Sequence, residues 1–381
     1  MSLAPPDMLA ARLDRLRRAI EQTGLDALVV SHLPNVFYLS NFAGSAGMVV
    51  VGRSRLYLLA DFRYSAAVAD LVAARRTPPG FELVDVPDSY DGALAGLLAD
   101  SLAGCRVGFE AARVPVKQHA WLAARLAALG ERAPRLVAAE ELVERARLVK
   151  DDHELALLRE GGRLISAVAR GVLREVAQPG RREREVAADI DHRMRCAGFE
   201  RAAFETIVAS GPNAALPHAR PGDRVLSDGD LVVLDFGGVH GGYCVDLTRT
   251  VAVGSPSAEA VRIYRAVAAA QDAALASVRP GVAADRVDAA ARESLAAAGL
   301  AEAFGHSTGH GLGLEVHEDP RVGRARPEGP PPTVLEAGMV CTVEPGAYVP
   351  GFGGVRLEDD LVVTAGGAEL LTDVPRDARL L

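Results

Sequence analysis

A chain of 381 residues is long for one average domain and short for three, so two domains are expected. With 49% hydrophobic and 24% charged residues the composition is that of an ordinary globular protein, which excludes a disordered, collagen-like or disulfide-scaffold chain. The 42 basic and 50 acidic residues leave a net charge of -8, which argues against a nucleic-acid binder driven by phosphate neutralisation and against a protein held on anionic membranes.

Cys105, Cys196, Cys244 and Cys341 lie far apart with no Cys-x-x-Cys pair. Neither a zinc knuckle nor a disulfide framework is suggested, and a reducing cytoplasm is the simplest setting. The start, MSLAPPDMLAARLDRLRRAI, has acids where a secretory signal needs an apolar core.

In chain order, residues 8–22 read as a helix. The uncharged window from Ala27 to Gly52 reads as strand, loop and strand, because His32, Pro34, Asn35 and Asn41 interrupt what would otherwise resemble a membrane span. The short apolar runs DALVV, GMVVVG, RLYLLA and CRVGFE alternate with helical stretches such as 117–129. That is an α/β pattern in which strands are followed by crossover helices. An N-terminal α/β domain is expected over residues 1–145, which hold 16 basic and 16 acidic residues. The other 26 and 34 place the whole negative excess in a second domain, 146–381.

The second domain opens with Asp151 and Glu154 as a capping pair before ELALLREGGRLISAVARGVLREVA, a long amphipathic helix ended by Gln178-Pro179-Gly180. Another helix ends at Ala197-Gly198-Phe199. At an offset of 101 residues both landmarks return, as Arg279-Pro280-Gly281 and Ala298-Gly299-Leu300, so the domain contains an internal duplication. After each helix pair comes a glycine-bearing segment and a β-hairpin, LVVLDFGGVHGGYCVDLTRTVAV and then MVCTVEPGAYVPGFGGVRLEDDLVVT. Two such copies should pack as one α+β domain about a pseudo-twofold axis, with the site where they meet.

Each hairpin carries two acids. Asp235 and Asp246 have their midpoint between His240 and Gly241, and Glu344 and Glu358 have theirs at Gly351, within Pro350-Gly351-Phe352-Gly353. Each pair is therefore expected on adjacent strands, where directly opposed Cβ atoms lie about 4.5–5.5 Å apart. A lone strand acid is usually an edge charge. Like charges so placed, however, are destabilising unless a cation sits between them, and two facing pairs suit a two-metal site that lowers the pKa of a shared water.

The segment Gly305–Glu318 adds His306, His310 and His317, from a chain with nine histidines. His306 and His310 share strand parity, whereas His317 reaches the same pocket only if the segment bends. His218, in SGPNAALPH, is either a pocket residue or a loop histidine satisfied by water. Cys244 has the parity of Asp246 and reads as a small apolar filler. His153 and His192 read as solvated, and Gly52-Arg53-Ser54-Arg55 and Arg181-Arg182-Glu183-Arg184 as exposed faces or turns.

At these residues the sequence resembles the pita-bread metallopeptidases, specifically the Xaa-Pro group with prolidase (Xaa-Pro dipeptidase) and aminopeptidase P. Asp235-Phe236-Gly237 through Thr250 is similar to the first metal hairpin, and Ser307 through Gly313 to the histidine segment. Val343-Glu344-Pro345-Gly346 and Gly354 through Asp359 are similar to the last two ligand stretches. Asn35 through Phe42, Gly44-Ser45 and Asp61-Phe62-Arg63-Tyr64 resemble the accessory domain of that group.

The resemblance implies an α/β accessory domain followed by a duplicated α+β pita-bread domain. It implies two divalent ions (Mn, Co or Zn), with Asp235 on one, Asp246 and Glu358 bridging both, and His310 and Glu344 completing the second. A metal-bridging hydroxide would attack the carbonyl before proline while Glu344 takes and returns the proton. His218, His306 and His317 would line the pocket, Arg356 would bind the substrate carboxylate or steady the site, and Tyr243 would hydrogen-bond within the pocket. The implied substrate is a small Xaa-Pro peptide and the implied assembly a homodimer. Length favours the dipeptidase over aminopeptidase P. Methionine aminopeptidases lack such an accessory domain, and metal-free creatinase-like enzymes or binding proteins should have lost ligands, whereas all five positions here hold suitable side chains.

Overall fold

The computed structural model describes residues 1–175 and 178–376. The chain forms two compact units, the first Ser2–Arg147 and the second beginning at Leu148.

The first unit runs α1 (Pro6–Gln22), β1 (Ala27–Val30), α2 (Leu33–Ser40), β2 (Met48–Val51), β3 (Leu56–Ala60), α3 (Ser65–Ala73), β4 (Phe81–Asp85), α4 (Tyr90–Ser101), β5 (Arg106–Glu110), α5 (Val116–Ala127), β6 (Arg135–Ala139) and α6 (Leu142–Arg147). Its sheet has the order β4-β3-β2-β1-β5-β6. The crossover pattern expected from the apolar runs holds for the parallel pairs β3/β4, β1/β5 and β5/β6, but β1, β2 and β3 form an antiparallel meander.

The window 27–52 is thus strand, helix, loop and strand. Pro34 sits in the first turn of α2, where no backbone N–H is needed, and Asn41 ends the helix in the left-handed region at φ 60°. The cluster Gly52–Arg55 is the tight turn between β2 and β3, with Gly52 N donating to Arg55 O at 2.9 Å. Val29, Val50, Leu59, Leu98, Val107 and Leu126 make the core. The unit ends after Arg147, not after residue 145, because Tyr38 Oη donates to Ala146 O and buried Arg147 donates to Asn35 Oδ1 at 2.6 Å.

The second unit begins its regular structure with α7 (Asp152–Glu175), α8 (Glu183–Cys196), β7 (Arg201–Ala202), β8 (Ile207–Ser210), β9 (Leu231–His240) and β10 (Tyr243–Ala252). The second copy follows as α9 (Ala258–Ser277), α10 (Ala284–Ala297), β11 (Gly309–Gly311), β12 (Glu318–Val322), β13 (Val340–Val343), β14 (Gly346–Val349), β15 (Gly353–Arg356), β16 (Asp359–Thr364) and β17 (Gly367–Leu370). Asp151 and Glu154 cap α7 reciprocally, each backbone N–H donating to the other's carboxylate at 3.0 Å. Residues 176 and 177 of the expected helix lie outside the described residues. No helix among the described residues is long and apolar enough to cross a membrane.

The duplication is visible in the backbone. Gly180 and Gly281 take φ 87° and 85°, and donate to Leu226 O and Leu335 O, both at 2.9 Å. The bridges Arg182↔Val225 and Ala283↔Val334 close the same loop in each copy. One sheet is β10-β9-β7 with β8 also on β9; the other is β12-β11-β13-β16-β17, and β14 pairs with β15.

Register places the four acids. In β9/β10 the turn is Gly241-Gly242, so Asp235 lies opposite Thr248 and Asp246 opposite Gly237. The two aspartates are therefore diagonal neighbours, not directly opposed as the midpoint suggested. The second hairpin turns at Gly351 and keeps one register through β14/β15 and β13/β16, with Gly346↔Arg356 and Val343↔Asp359. That ladder is interrupted at Glu344 and Glu358. Glu344 N donates to Thr308 O at 2.7 Å and Glu358 N to Thr248 O at 3.1 Å, so each backbone is tied to a different strand segment.

Two glycines of α7 give a stability test. A Cβ on Gly162 would lie 2.2 Å from Leu371 O, a backbone atom that cannot move alone, whereas at Gly171 the nearest atom is Arg193 Nη1 at 3.4 Å. Gly171→Ala should stabilise by up to about 1 kcal/mol through helix propensity, and Gly162→Ala should destabilise by about 1–3 kcal/mol despite the same propensity gain. Denaturant midpoints of the two variants check this.

Candidate metal centre

Asp235 and Asp246 project from the same face of the β9/β10 hairpin, and Glu344 and Glu358 occupy the break in the second hairpin. His310 comes from β11, whose backbone N donates to Thr342 Oγ1. Atoms of Asp246, His310 and Glu358 able to ligate an ion all lie within 4.8 Å of one another. His310 Nε2 is 3.4 Å from Glu344 Oε1, and its Nδ1 is 3.0 Å from Gly311 O. The tautomer that donates from Nδ1 to that carbonyl leaves Nε2 as a lone pair.

Asp235 Oδ1, Asp246 Oδ1 and Glu358 Oε1 are buried oxygens with no hydrogen-bond partner. Native interiors seldom leave such acceptors unsatisfied. Burial and then Glu358 and Asp235 push the Asp246 carboxyl well above the usual carboxylate range. Burial and then Glu344 and Asp235 do the same to Glu358. Burial also raises Glu344. Lone pairs aimed into a pocket of mutually repelling carboxylates, with one imidazole among them, are the donor set of a divalent-cation site, so the residues fit the implied metal.

The histidines separate into two groups. The segment after β11 turns back before β12, and brings the His317 ring to 4.3 Å from that of His310, edge to face. His317 and His218 are exposed. His306 is committed at both nitrogens: Nδ1 lies 2.7 Å from Ser307 O and Nε2 2.8 Å from Tyr348 Oη. Burial lowers the proton affinity of His306, His310 and His317 alike.

Arg356 is buried and bonded on all three of its nitrogens. It donates to Asp235 Oδ2, to Tyr348 Oη at 2.8 Å, to Pro217 O at 3.2 Å and through Nε to Thr248 Oγ1 at 3.3 Å. Of its two expected roles, the geometry matches steadying the site, since four of its five N–H groups donate within the protein. Tyr243 departs from expectation. It lies an odd number of residues from Asp246, so it faces the other side of the sheet, where its Oη donates to Glu154 Oε1 on α7 at 3.0 Å. Cys244 is buried, its Sγ 3.9 Å from Leu314 O. His192 is exposed, whereas His153, expected in solvent, is half-buried on α7.

Three participants escaped the sequence reading. Tyr348 shares the face of Glu344 and Arg356 by strand parity and links Arg356 to His306; a Cβ on Gly346 would lie 2.6 Å from its Oη. Thr248 donates to Glu358 Oε2 at 2.6 Å. Asp360, fully buried, accepts from Asp246 N at 2.9 Å. Parity with Asp246 or Glu358 was the available signal for all three.

Residues 156–365 match metallopeptidase family M24, and residues 12–149 match the creatinase/prolidase N-terminal domain. The Xaa-Pro dipeptidase of Pyrococcus horikoshii is 32% identical over 97% of this chain and 99% of its own length. Among solved structures, the Xaa-Pro dipeptidase from Bacillus anthracis superposes with a TM-score of 0.89 at 34% identity, over 98% of this chain and all of that one. The X-Pro aminopeptidase from Thermotoga maritima superposes with a TM-score of 0.83 at 32% identity, over 96% of this chain and 98% of that one.

A cation held by the orphan oxygens should make stability metal-dependent. A divalent cation at about 100 times its dissociation constant should stabilise the folded chain by about 2.7 kcal/mol. Chelation should therefore lower the melting temperature by several degrees, and returning Mn²⁺ should restore it. In Asp246→Asn the same titration, followed by calorimetry, should show a much smaller shift.

Proposed function

Because the chain belongs to metallopeptidase family M24, we propose that it is a prolidase-type exopeptidase that hydrolyses the Xaa-Pro bond, with Xaa-Pro dipeptides as preferred substrates. The observation that carries this reading is the convergence of Asp246, His310 and Glu358, flanked by Asp235 and Glu344, with three buried oxygens lacking partners. The bond before proline is a tertiary amide without an N–H, so an enzyme acting on it must work through the carbonyl and the substrate's free ends.

Asp235, Asp246, His310, Glu344 and Glu358 would hold two divalent cations, drawn from Mn²⁺, Co²⁺ or Zn²⁺ by their mix of carboxylate and imidazole donors. Bound there, the ions supply Lewis acidity toward the substrate carbonyl and make water a nucleophile near neutral pH. Glu344, whose proton affinity is raised by burial, takes the proton of the attacking water and returns it to the leaving nitrogen. His218 and His317, exposed imidazoles, contact the carbonyl oxygen and the leaving group. His306 acts differently from the other two, holding Tyr348 against Arg356, which in turn orients Asp235. The four free cysteines suit a cytoplasmic enzyme, and a homodimer is the commonest closed assembly.

Likeness to the X-Pro aminopeptidase from Thermotoga maritima favours a second reading, release of the first residue from longer Xaa-Pro peptides. Steady-state rates on Ala-Pro and on an Ala-Pro tripeptide, before and after chelation and metal return, decide between them. Cleavage of Ala-Pro that chelation abolishes is expected; activity confined to the tripeptide sinks the dipeptidase reading. Glu344→Gln should lose about 10²–10⁴-fold in kcat, the range for a displaced general base. Tyr243→Phe, which removes the buried bond to Glu154 on the far face of the sheet, should cost about 1 kcal/mol of stability and leave kcat unchanged.

A further inference from the structure

The first turn of α8 carries a carboxylate to which the roles above assign nothing. Glu183 is fully buried, although it stands among the charged residues Arg181, Arg182 and Arg184. This corrects the surface-cluster expectation. Its Oε1 accepts from Ser210 N at 2.8 Å, Ser210 Oγ at 2.7 Å and Asn213 Nδ2 at 3.1 Å; its Oε2 accepts from Asn213 Nδ2 at 3.2 Å and Gly222 N at 3.1 Å. A carboxylate withdrawn from water is tolerated only when its oxygens are satisfied. Here every one of these donors belongs to the segment 210–222, and they come from both of its ends.

That segment carries His218, together with Pro217, whose carbonyl accepts from Arg356 Nη1. Its middle lies along β15, where a Cβ on Gly354 would fall 2.2 Å from Ala214 O. Arg224 completes the fastening by donating to Ser210 Oγ at 2.7 Å and pairing with Asp230. Ser210 is anchored in β8 opposite Val232, and Gly222 O accepts from Arg184 N at 3.2 Å, but between these ends the only regular element is a 3-10 turn at Gly211–Ala215, and the Glu183 carboxylate is the side chain that ties Ser210, Asn213 and Gly222 to one point. Loss of that common point would loosen the stretch between the ends, and fixing it again on binding would cost affinity.

We propose that Glu183 is a positioning residue, which clasps the 210–222 segment so that His218 and the Pro217 carbonyl are held at the metal centre. It touches neither substrate nor metal ligand and acts through His218. The catalytic arm of the test rests on the peptidase reading; the exchange arm does not.

The experiment compares the metal-replete full chain with Glu183→Gln, His218→Ala and the double variant, measuring kcat and KM on Ala-Pro and amide hydrogen exchange on the same samples. Glu183→Gln should raise KM about tenfold with a smaller change in kcat, and should add less than about twofold to the loss in kcat/KM when His218 is already alanine. Peptides covering 211–222 should exchange about tenfold faster while those from α8 and β9 keep their protection. Equal losses in both backgrounds, or unchanged exchange in 211–222, overturn the proposal. If Glu183→Gln does not fold, Ser210→Ala and Asn213→Ala keep the carboxylate and run through the same cycle. If the parent chain leaves Ala-Pro and the tripeptide intact, the peptidase reading fails and exchange alone decides the clasp.

Discussion

Coulomb repulsion between carboxylates grows as water is withdrawn, and the second unit withdraws Asp235, Asp246, Glu344, Glu358 and Asp360 together. The fold is able to neutralise buried acids where it needs to. Asp359 receives Arg249 at 2.6 Å, Glu318 receives Lys150 at 2.6 Å, and Asp288 receives Arg292 at 2.6 Å. Asp246 and Glu358 receive no cationic side chain among the described residues, though Arg249 follows Asp246 by three residues in β10 and Arg356 precedes Glu358 by two. The contrast makes the unmatched charge a property of the site and not of a poorly packed interior. The ion pairs around it hold the scaffold, so that the repulsion between Asp246 and Glu358 is relieved by uptake of a proton or of a cation from outside.

The duplication explains how so much charge is gathered by so few elements. Each copy supplies one hairpin, and Glu358 N bonds to Thr248 O, so the two hairpins are stitched together at the acids themselves. Buried Arg249 adds to the seam by donating to the carbonyls of Thr248 and Glu358. The copies differ where chemistry requires it. The histidine segment belongs to the second copy alone, while the first contributes the 210–222 segment with its clasp on α8.

Much of this was legible because strand residues alternate in facing. The Gly351 turn followed from the spacing of Glu344 and Glu358, and the helix pairs from the repeated Pro-Gly landmarks. The Asp235/Asp246 hairpin was displaced by one residue, since Val-His-Gly-Gly-Tyr permits a turn on either side of Gly241 and only the positive φ of both glycines decides it. Tyr243 was misplaced although its odd spacing from Asp246 already put it on the far face. The bend that returns His317 and the burial of Glu183 were not legible. Both depend on segments distant in the chain, and a charged residue among arginines reads as surface until the loop that covers it is known. The helix Leu33–Ser40 was hidden for a different reason, since its Pro and Asn serve as caps there but read as loop residues.

In the second hairpin Glu344 and Glu358 sit between two paired stretches, β13/β16 and β14/β15. Because the ladder keeps the same register on both sides of Glu344 and Glu358, a slip that misplaced either acid would have to undo two sets of strand pairs at once. The tip around Gly351 is under no such restraint. Residues can be gained or lost there while the acids stay where they are, so the rim of the molecule and its reactive centre are free to diverge at different rates, although one hairpin builds both.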